Sequence, residues 1–206
     1  MPRRPANATR ANGDSATDVP SRRDEIFRTA VSLMRRRGYR GTTLKEIARA
    51  LDVTEPALYY YFKTKEELLF AIYAETQQVA LSTVRRIRDS DASPEEKLRA
   101  VIAEFTQLVA ENEMFAIFFR EKDELSPENW QSITRGEHEF VDAIRGIVEE
   151  GVRAKRFRPL DPTVVAFGIL GIGAWVYRWF DPRGKRSLDE VIATYQTLLV
   201  EGLVLH

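Results

Sequence analysis

Apolar residues recur along this chain at the spacing of an α-helix. In the stretch 44–51 they fall at i, i+3, i+4 and i+7, which places them on one face of a short helix. The chain beyond residue 64 follows the same period between its turns, and the alternation typical of a β-strand is absent from it. We therefore predict an all-α protein.

Capping residues divide the stretch 42–69 into three helices. Thr43 with Glu46 fits a capping box, and Thr54 and Thr64 are the caps of the next two helices. Two short helices around a tight turn form a helix-turn-helix, whose second helix offers its first residues to base edges in the major groove of DNA. The pattern predicts a DNA-binding protein.

A longer helix precedes this unit. Ser21 caps it, Gly38 ends it, and its apolar side is expected to brace the two following helices. The basic run 35–37 is either a solvated helix end, favourable near the C-terminal dipole, or a surface that faces DNA. Residues 1–20 are rich in Pro, Ala, Asn and Arg and predict a flexible tail. As an alternative to a purely flexible tail, Arg3, Arg4 and Arg10 would contact phosphates or the minor groove of DNA.

The helix-turn-helix and its bracing helix match a known pattern. The matching positions are Ile26, Ala30, Gly38-Tyr39, Thr42-Thr43, Ile47-Ala48, Val53, Ala57-Leu58-Tyr59, Tyr61-Phe62 and Lys65-Glu66-Leu68. Together they resemble the DNA-binding domain of TetR-family (tetracycline-repressor-like) regulators. The glycine usual at the turn is Asp52 here, and aspartate also tolerates left-handed backbone geometry. The resemblance implies a homodimer on a double-stranded DNA operator, with Tyr59 on phosphate and Tyr60 in the groove.

Side-chain chemistry assigns further roles in this DNA-binding head. Thr43 is expected to meet a phosphate, and Lys45 a phosphate or a guanine edge. Glu55 is expected to accept from a cytosine amino group, and Tyr59, Tyr61 and Lys65 are expected to contact the DNA backbone. Leu58 and Phe62 are assigned to the core. One of the three neighbouring tyrosines is either buried with them or exposed to DNA like the other two. The complete predicted DNA-binding set is Thr43, Lys45, Thr54, Glu55, Pro56, Ala57, Tyr59, Tyr60, Tyr61 and Lys65.

Charge is divided along the chain although its formal net charge is zero. Residues 1–66 carry 14 Lys and Arg against 8 Asp and Glu, a net charge of +6, whereas residues 67–206 carry 17 against 23, a net charge of −6. The basic charge lies where phosphates would be met. We expect a tail over 1–20, a helix-turn-helix domain over 21–66, and a larger helical domain for ligand binding and dimerisation over 67–206.

Composition argues against an enzyme. The chain has no cysteine, which excludes disulfides, thiolate metal sites and cysteine nucleophiles. Its two histidines, His138 and His206, do not suffice for a histidine-based triad or a multi-histidine metal site. A glycine-rich phosphate loop is also missing from the sequence. We expect no catalysis and no cofactor, and the lack of a signal-like apolar N-terminus predicts a cytoplasmic protein.

The larger domain is expected to consist of helices over about 64–88, 126–156, 163–180 and 187–203, with a further helix that Ser93 caps and whose apolar face reaches Val109, and an apolar stretch at 114–119. The apolar run Val164–Tyr177 is 14 residues long, short of the ~20 that a bilayer core requires, so a buried helix is predicted. Three glycines in it would let a neighbouring backbone approach: Gly168, Gly171 and Gly173. The TetR resemblance implies that the last two helices pair with those of a second subunit.

Aromatic residues are abundant in this domain and predict an apolar effector cavity. For each aromatic residue taken singly, ordinary packing in the core is the alternative. The predicted ligand-binding set is Phe105, Phe115, Phe118, Phe119, Trp130, Phe140, Phe167, Trp175 and Arg178. The segment 175–184 also resembles regulators of fatty-acid and sterol catabolism, several of which respond to an acyl-CoA. Gly171 stands where some of these carry a basic residue. Four cations remain that either meet a CoA phosphate or belong to a solvated helix end and loop: Arg178, Arg183, Lys185 and Arg186.

The predicted mechanism is repression relieved by a ligand. A dimer would block transcription from a palindromic operator until a hydrophobic effector favours a spacing of the two heads that no longer fits the half-sites. Two alternatives remain at this stage. One is a DNA-binding protein without small-molecule induction, which would lack a sizeable cavity, and the other is a drug-responsive regulator of efflux.

Overall fold

The computed structural model describes residues 21–205, and that part of the chain is built of helices joined by short turns. The all-α prediction is confirmed. The predicted tail and its three arginines, and His206, lie outside the described residues. The helices are α1 (Arg22–Arg37), α2 (Leu44–Ala50), α3 (Glu55–Tyr61), α4 (Lys65–Arg88), α5 (Pro94–Glu111), α6 (Glu113–Arg120), α7 (Pro127–Arg153), α8 (Pro162–Trp179) and α9 (Leu188–Gln196). A 3-10 turn, Lys122–Glu124, follows α6, and a π-helical turn, Thr197–Glu201, follows α9.

Local capping chemistry sets the start of the helices, as predicted. The hydroxyl oxygens of Ser21, Thr43 and Thr54 each accept from a backbone N–H in the first turn of the helix that follows. Gly38 ends α1 at φ 72°, and Asp52 takes φ 53° in the turn between α2 and α3. Aspartate therefore does adopt the left-handed backbone that the helix-turn-helix turn requires.

Helix α7 is shorter than the sequence suggests. The pattern predicts a helix to about residue 156, but α7 ends at Arg153, because Lys155 adopts φ 56° and reverses the chain. The reversal lays the ring of Phe157 against Gly151, where an added Cβ would lie 2.1 Å from the ring. Phe157 is almost completely buried there. Only a glycine allows this contact.

The helix-turn-helix head, formed by α1, α2 and α3, has its own apolar core, to which the rest of the protein contributes. Residues of α1, α2 and α3 pack with the first half of α4, including Leu68, Leu69 and Ile72. Ile117 of α6 and Ile133 of α7 complete the same cluster. Helix α4 therefore belongs to both parts of the molecule, since its second half packs into the other core.

The second core lies between α4, α5, α7, α8 and α9. Small residues permit close packing at two of its helix crossings. An added Cβ at Gly136 would lie 2.2 Å from the Gln77 side chain, and one at Gly173 would lie 2.8 Å from Phe105. Gly173 thus makes room for the side chain of Phe105 and not for a neighbouring backbone, whereas Gly168 and Gly171 have nothing within 4 Å of a Cβ in this single chain.

Helix α8 is apolar all round, and in the single chain it is buried on one face alone. Ala166, Ile169 and Val176 face the core, whereas the opposite face is uncovered in the single chain. Its large exposed side chains, with the exposed fraction of each, are Val164 (68%), Phe167 (56%), Trp175 (58%) and Trp179 (44%). Among the described residues, no helix combines the length and hydrophobicity needed to cross a membrane.

Candidate DNA-binding surface and effector cavity

Helix α3 is anchored by its apolar side and presents the rest of its surface to solvent. Leu58 and the following Phe62 are buried in the head, as expected. The three tyrosines are all exposed, so none of them belongs to the core. Tyr60 is the most prominent, with 80% of its surface exposed and its ring packed edge-on against Tyr61, at 5.5 Å between centroids. The exposed face of α3 is therefore aromatic.

Of the neighbouring residues predicted to bind DNA, some cap helices and others are exposed without a capping role. Pro56 and Ala57 are exposed at the start of α3. The Thr43 hydroxyl donates to the Glu46 carboxylate at 3.0 Å, and Thr54 Oγ1 accepts from the backbone N–H of Ala57 at 3.4 Å. These two hydroxyls are thus already engaged in capping, although both threonines remain exposed.

Lys45 and Glu55 form an ion pair across the helix-turn-helix. Nζ of Lys45 lies 3.2 Å from Oε1 of Glu55, and both side chains are exposed. The pair joins the second residue of α2 to the first residue of α3. Two side chains with separate predicted contacts to DNA therefore contact each other in the free protein.

Lys65 is placed differently from the expectation that it reaches the DNA backbone. Its ammonium donates to the carbonyl oxygens of Tyr39 at 2.7 Å and Thr42 at 2.8 Å. It also lies 4.1 Å from the centroid of the Tyr39 ring. Burial lowers the pKa of Lys65 and raises the pKa of Tyr39 to about 12. The Lys65 side chain ties the start of α4 to the segment that follows α1, with two of its three donors used within the chain.

The basic run at the end of α1 is exposed to solvent, and its arginines contact partners within the chain. Arg35 pairs with Glu113 of α6, and Arg36 donates to the hydroxyl of Ser32 at 3.2 Å. Arg37 pairs with Glu46 of α2, with 2.8 Å between the charged atoms. Each arginine has a partner within the chain.

Polar contacts also join the head to the larger helical part. The carboxylate of Glu66 accepts from the backbone N–H of Ser126 at 2.8 Å and from the amide of Asn129 at 3.0 Å, and these bonds lower its pKa. Arg40 pairs with Glu124 at 2.7 Å. No sequence pattern signals these contacts, because each joins residues at least sixty positions apart.

A cavity of about 320 Å³ lies among α4, α5, α6, α7 and α8. Six of the predicted ligand-binding residues line it: Phe105, Phe115, Phe118, Phe119, Phe140 and Phe167. The sequence does not predict its other lining residues: Thr76, Gln77, Ala80, Leu81, Gly136, Glu137, Val141, Leu170, Gly171 and Ala174. Most of these are small or aliphatic and are typical of any helix core, so only the fold identifies them.

Three of the predicted ligand residues lie away from this cavity. Trp130 packs against the core of the head. Trp175 and Arg178 are exposed on α8 and do not line the cavity. Composition alone assigns the tryptophans to the cavity, and the helical phase of α8 turns Trp175 outward.

The cations considered for a CoA phosphate are also exposed and lie away from the cavity. Arg183 has Asp181 as a partner at 3.4 Å. Lys185 and Arg186 border a separate surface cleft beside Trp179 and Tyr195. The described residues include no group of His, Cys, Asp and Glu suited to a metal ion.

Helix α6 is shared between the cavity and the head. Phe115 and Phe119 line the cavity, while Ile117, between them in sequence, is completely buried in the core of the head. The carbonyl of Ile117 accepts from the hydroxyl of Tyr73 at 3.1 Å, and burial raises the pKa of that tyrosine. Helix α6 therefore contacts both the cavity and the core of the head.

Comparison with known proteins agrees with this arrangement. Residues 26–72 match the family model "Bacterial regulatory proteins, tetR family", and residues 91–203 match "Tetracyclin repressor-like, C-terminal domain". The chain is 28% identical over 193 residues to the HTH-type transcriptional repressor KstR2 of Rhodococcus jostii (strain RHA1), covering 92% of this chain and 95% of that protein.

Two further relatives are similar over most of their length. The fatty acid metabolism regulator protein of Bacillus subtilis (strain 168) is 26% identical over 182 residues, covering 87% of this chain and 94% of the relative. The crystal structure of AibR in complex with isovaleryl coenzyme A and operator DNA has a TM-score of 0.80 and 32% identity, and the match covers 87% of this chain and 98% of AibR. The chain therefore belongs to the TetR family of transcriptional regulators, and it is a regulator rather than an enzyme.

Proposed function

We propose that this regulator represses transcription as a homodimer on a palindromic operator, and that a hydrophobic effector in the cavity of its larger domain releases it. The observation that carries the proposal is the position of α6, which lines the cavity with Phe115 and Phe119 and supports the head with Ile117. Such a protein acts on the chromosome, so we place it in the cytoplasm.

DNA contact is assigned to the exposed face of α3 and the adjoining part of α2. Tyr60, Pro56 and Ala57 would enter the major groove, with Tyr59 and Tyr61 beside the phosphates. These side chains are exposed and are not required for the apolar core of the head. AibR, a relative that is 32% identical, was crystallised with operator DNA, which supports DNA binding by this chain.

Dimerisation is assigned to the uncovered face of α8. An apolar patch containing Val164, Phe167 and Trp175 is unusual on a monomeric surface and is typical of a protein interface. Gly168 lies on the same face with open space above it, so a second helix can approach closely there. Two-fold symmetry would then place two heads on two half-sites.

For the effector we propose the acyl group of a coenzyme A thioester. The cavity is strongly apolar, and its volume lies near the lower end of the roughly 300–1,000 Å³ found for small-molecule sites. An acyl chain fits that volume, and the nucleotide would remain outside. The relatives support the class, since AibR was crystallised with isovaleryl coenzyme A and another relative is a fatty acid metabolism regulator.

Release requires that the effector binds one arrangement of the heads better than the other. Filling the cavity beside Phe115 and Phe119 would favour a position of α6 different from the one that packs Ile117 into the head. The test begins by selecting an operator from a randomised DNA pool and labelling it. The purified protein bound to this operator is then titrated with a panel of acyl-CoA thioesters, and the release of DNA is measured. Release by at least one thioester supports the proposal, and failure of every thioester to bind or to release DNA contradicts the effector class.

Tyr60→Ala is expected to weaken operator binding by about tenfold or more, since a well-placed groove contact contributes about 1–3 kcal/mol. Thermal stability should not change, because Tyr60 is 80% exposed. Fluorescence anisotropy with the selected operator measures the first quantity, and the melting temperature the second. Unchanged operator affinity would remove Tyr60 from the DNA-binding surface.

Ala174→Phe is expected to fill the cavity and lower the affinity for acyl-CoA about tenfold or more, because Ala174 lines it and is only half-buried. Operator binding without effector should persist. Calorimetry measures the first and anisotropy the second. Ala154→Phe is the matched control, since that alanine is exposed at the end of α7, and it should leave both affinities unchanged. Undiminished acyl-CoA binding by Ala174→Phe would place the effector elsewhere.

A further inference from the structure

The ion pair between Lys45 and Glu55 lies on the surface assigned to DNA and contributes little to folding. Both side chains are exposed, and an isolated exposed pair stabilises a fold only slightly. The pair spans the turn between the two helices that would enter and flank the major groove. We therefore expect the pair to affect mainly the binding of DNA to this surface.

The surroundings of the pair are balanced in charge. A shallow groove beside it is lined by two cations and two carboxylates: Lys45, Arg49, Asp52 and Glu55. A phosphate approaching this groove meets no net positive charge while Glu55 is ionised. Lys45 can make a full contact with a phosphate only when Glu55 has another partner or has lost its charge.

We propose that Glu55 is the residue that makes DNA binding selective, by withholding Lys45 from phosphate unless a base supplies a replacement partner. The inference rests on the proposed operator binding. On the right sequence, the amino group of a cytosine donates to the Glu55 carboxylate, and Lys45 turns to a phosphate. On other sequences Glu55 either retains its ion pair with Lys45 or faces the DNA backbone without a partner. The head thus gains selectivity by weakening its binding to the wrong DNA.

Glu55→Gln tests this proposal, because it keeps the shape of the side chain and removes its charge. Binding to a duplex of random sequence at low salt should tighten about threefold or more, and its salt dependence should steepen by about 0.9 in log–log slope for each additional phosphate that the protein neutralises. Binding to the operator selected by the wild-type protein should not tighten. The ratio of operator affinity to random-duplex affinity should therefore fall.

Glu75→Gln is the matched control. It makes the same change of charge at an exposed position of α4, away from α2 and α3. Its ratio of operator to random-duplex affinity should equal that of the wild-type protein. A ratio that falls equally in both variants would overturn the proposal, since net charge alone would then account for it.

A second comparison asks whether Glu55 acts through Lys45. In a Lys45→Met background, adding Glu55→Gln should no longer tighten binding to the random duplex. An equal tightening in both backgrounds overturns the proposal, because simple repulsion of phosphates by Glu55 would explain it. If the wild-type protein selects no duplex from the randomised pool, the proposed operator binding itself fails, before any variant is measured.

Discussion

Trp175→Glu is expected to separate the dimer into monomers and to lower operator affinity about a hundredfold at submicromolar protein. Trp175 is 58% exposed in the single chain, so the fold tolerates the change. In the proposed interface the new carboxylate would be buried without a partner, which costs several kcal/mol. Two linked heads also bind two half-sites far better than one head does. Sedimentation velocity measures the first effect and fluorescence anisotropy the second.

Leu160→Glu provides the control for this variant. Leu160 is also apolar and exposed, but it precedes α8 and lies outside the proposed interface. It should remain dimeric and bind the operator normally. A dimer that survives Trp175→Glu with its sedimentation unchanged would show that the uncovered face of α8 is not the interface.

Lys65→Met is expected to destabilise the head by about 2 kcal/mol, because the carbonyl oxygens of Tyr39 and Thr42 lose a charged donor. For a chain of this size, that loss lowers the melting temperature by about 4–8 °C. The salt dependence of operator binding should not change, since the ammonium is engaged within the chain. Chemical denaturation and a salt titration measure the two quantities.

Lys185→Met is the companion variant, since Lys185 is exposed in the loop between α8 and α9. It should leave stability nearly unchanged. Should Lys65→Met instead keep full stability and reduce the salt dependence by one phosphate contact, the sequence-based assignment of Lys65 to the DNA backbone would be correct.

Local chemistry makes the head predictable from the sequence. Thr43, Thr54 and Thr64 each start a helix because the hydroxyl and the first turn lie within four residues of each other. Asp52 can likewise be assigned to its turn from its tolerance of left-handed geometry. Interactions of this kind depend on neighbouring residues, so a single sequence contains all the information they need.

The site depends on long-range packing and is predictable only in part. Aromatic content identifies six phenylalanines of the cavity, but it cannot distinguish Phe140, which lines the cavity, from Trp130, which packs against the head. Sequence reasoning assigns the ammonium of Lys65 to DNA because its partners, two backbone carbonyls, have no signature in the sequence. It assigns Trp175 to the cavity for a similar reason, since the direction of that side chain depends on which face of α8 meets the core.

The continuity of α4 has a mechanical consequence. Its 24 residues, Lys65–Arg88, span about 36 Å without a break, from the core of the head past the wall of the cavity. A tilt of about 5° around its far end would carry the head sideways by about 3 Å, close to the 3.4 Å rise of one base pair. In the proposed mechanism, a rigid helix of this length would convert a side-chain displacement in the cavity into a shift of the head by about one base pair on DNA.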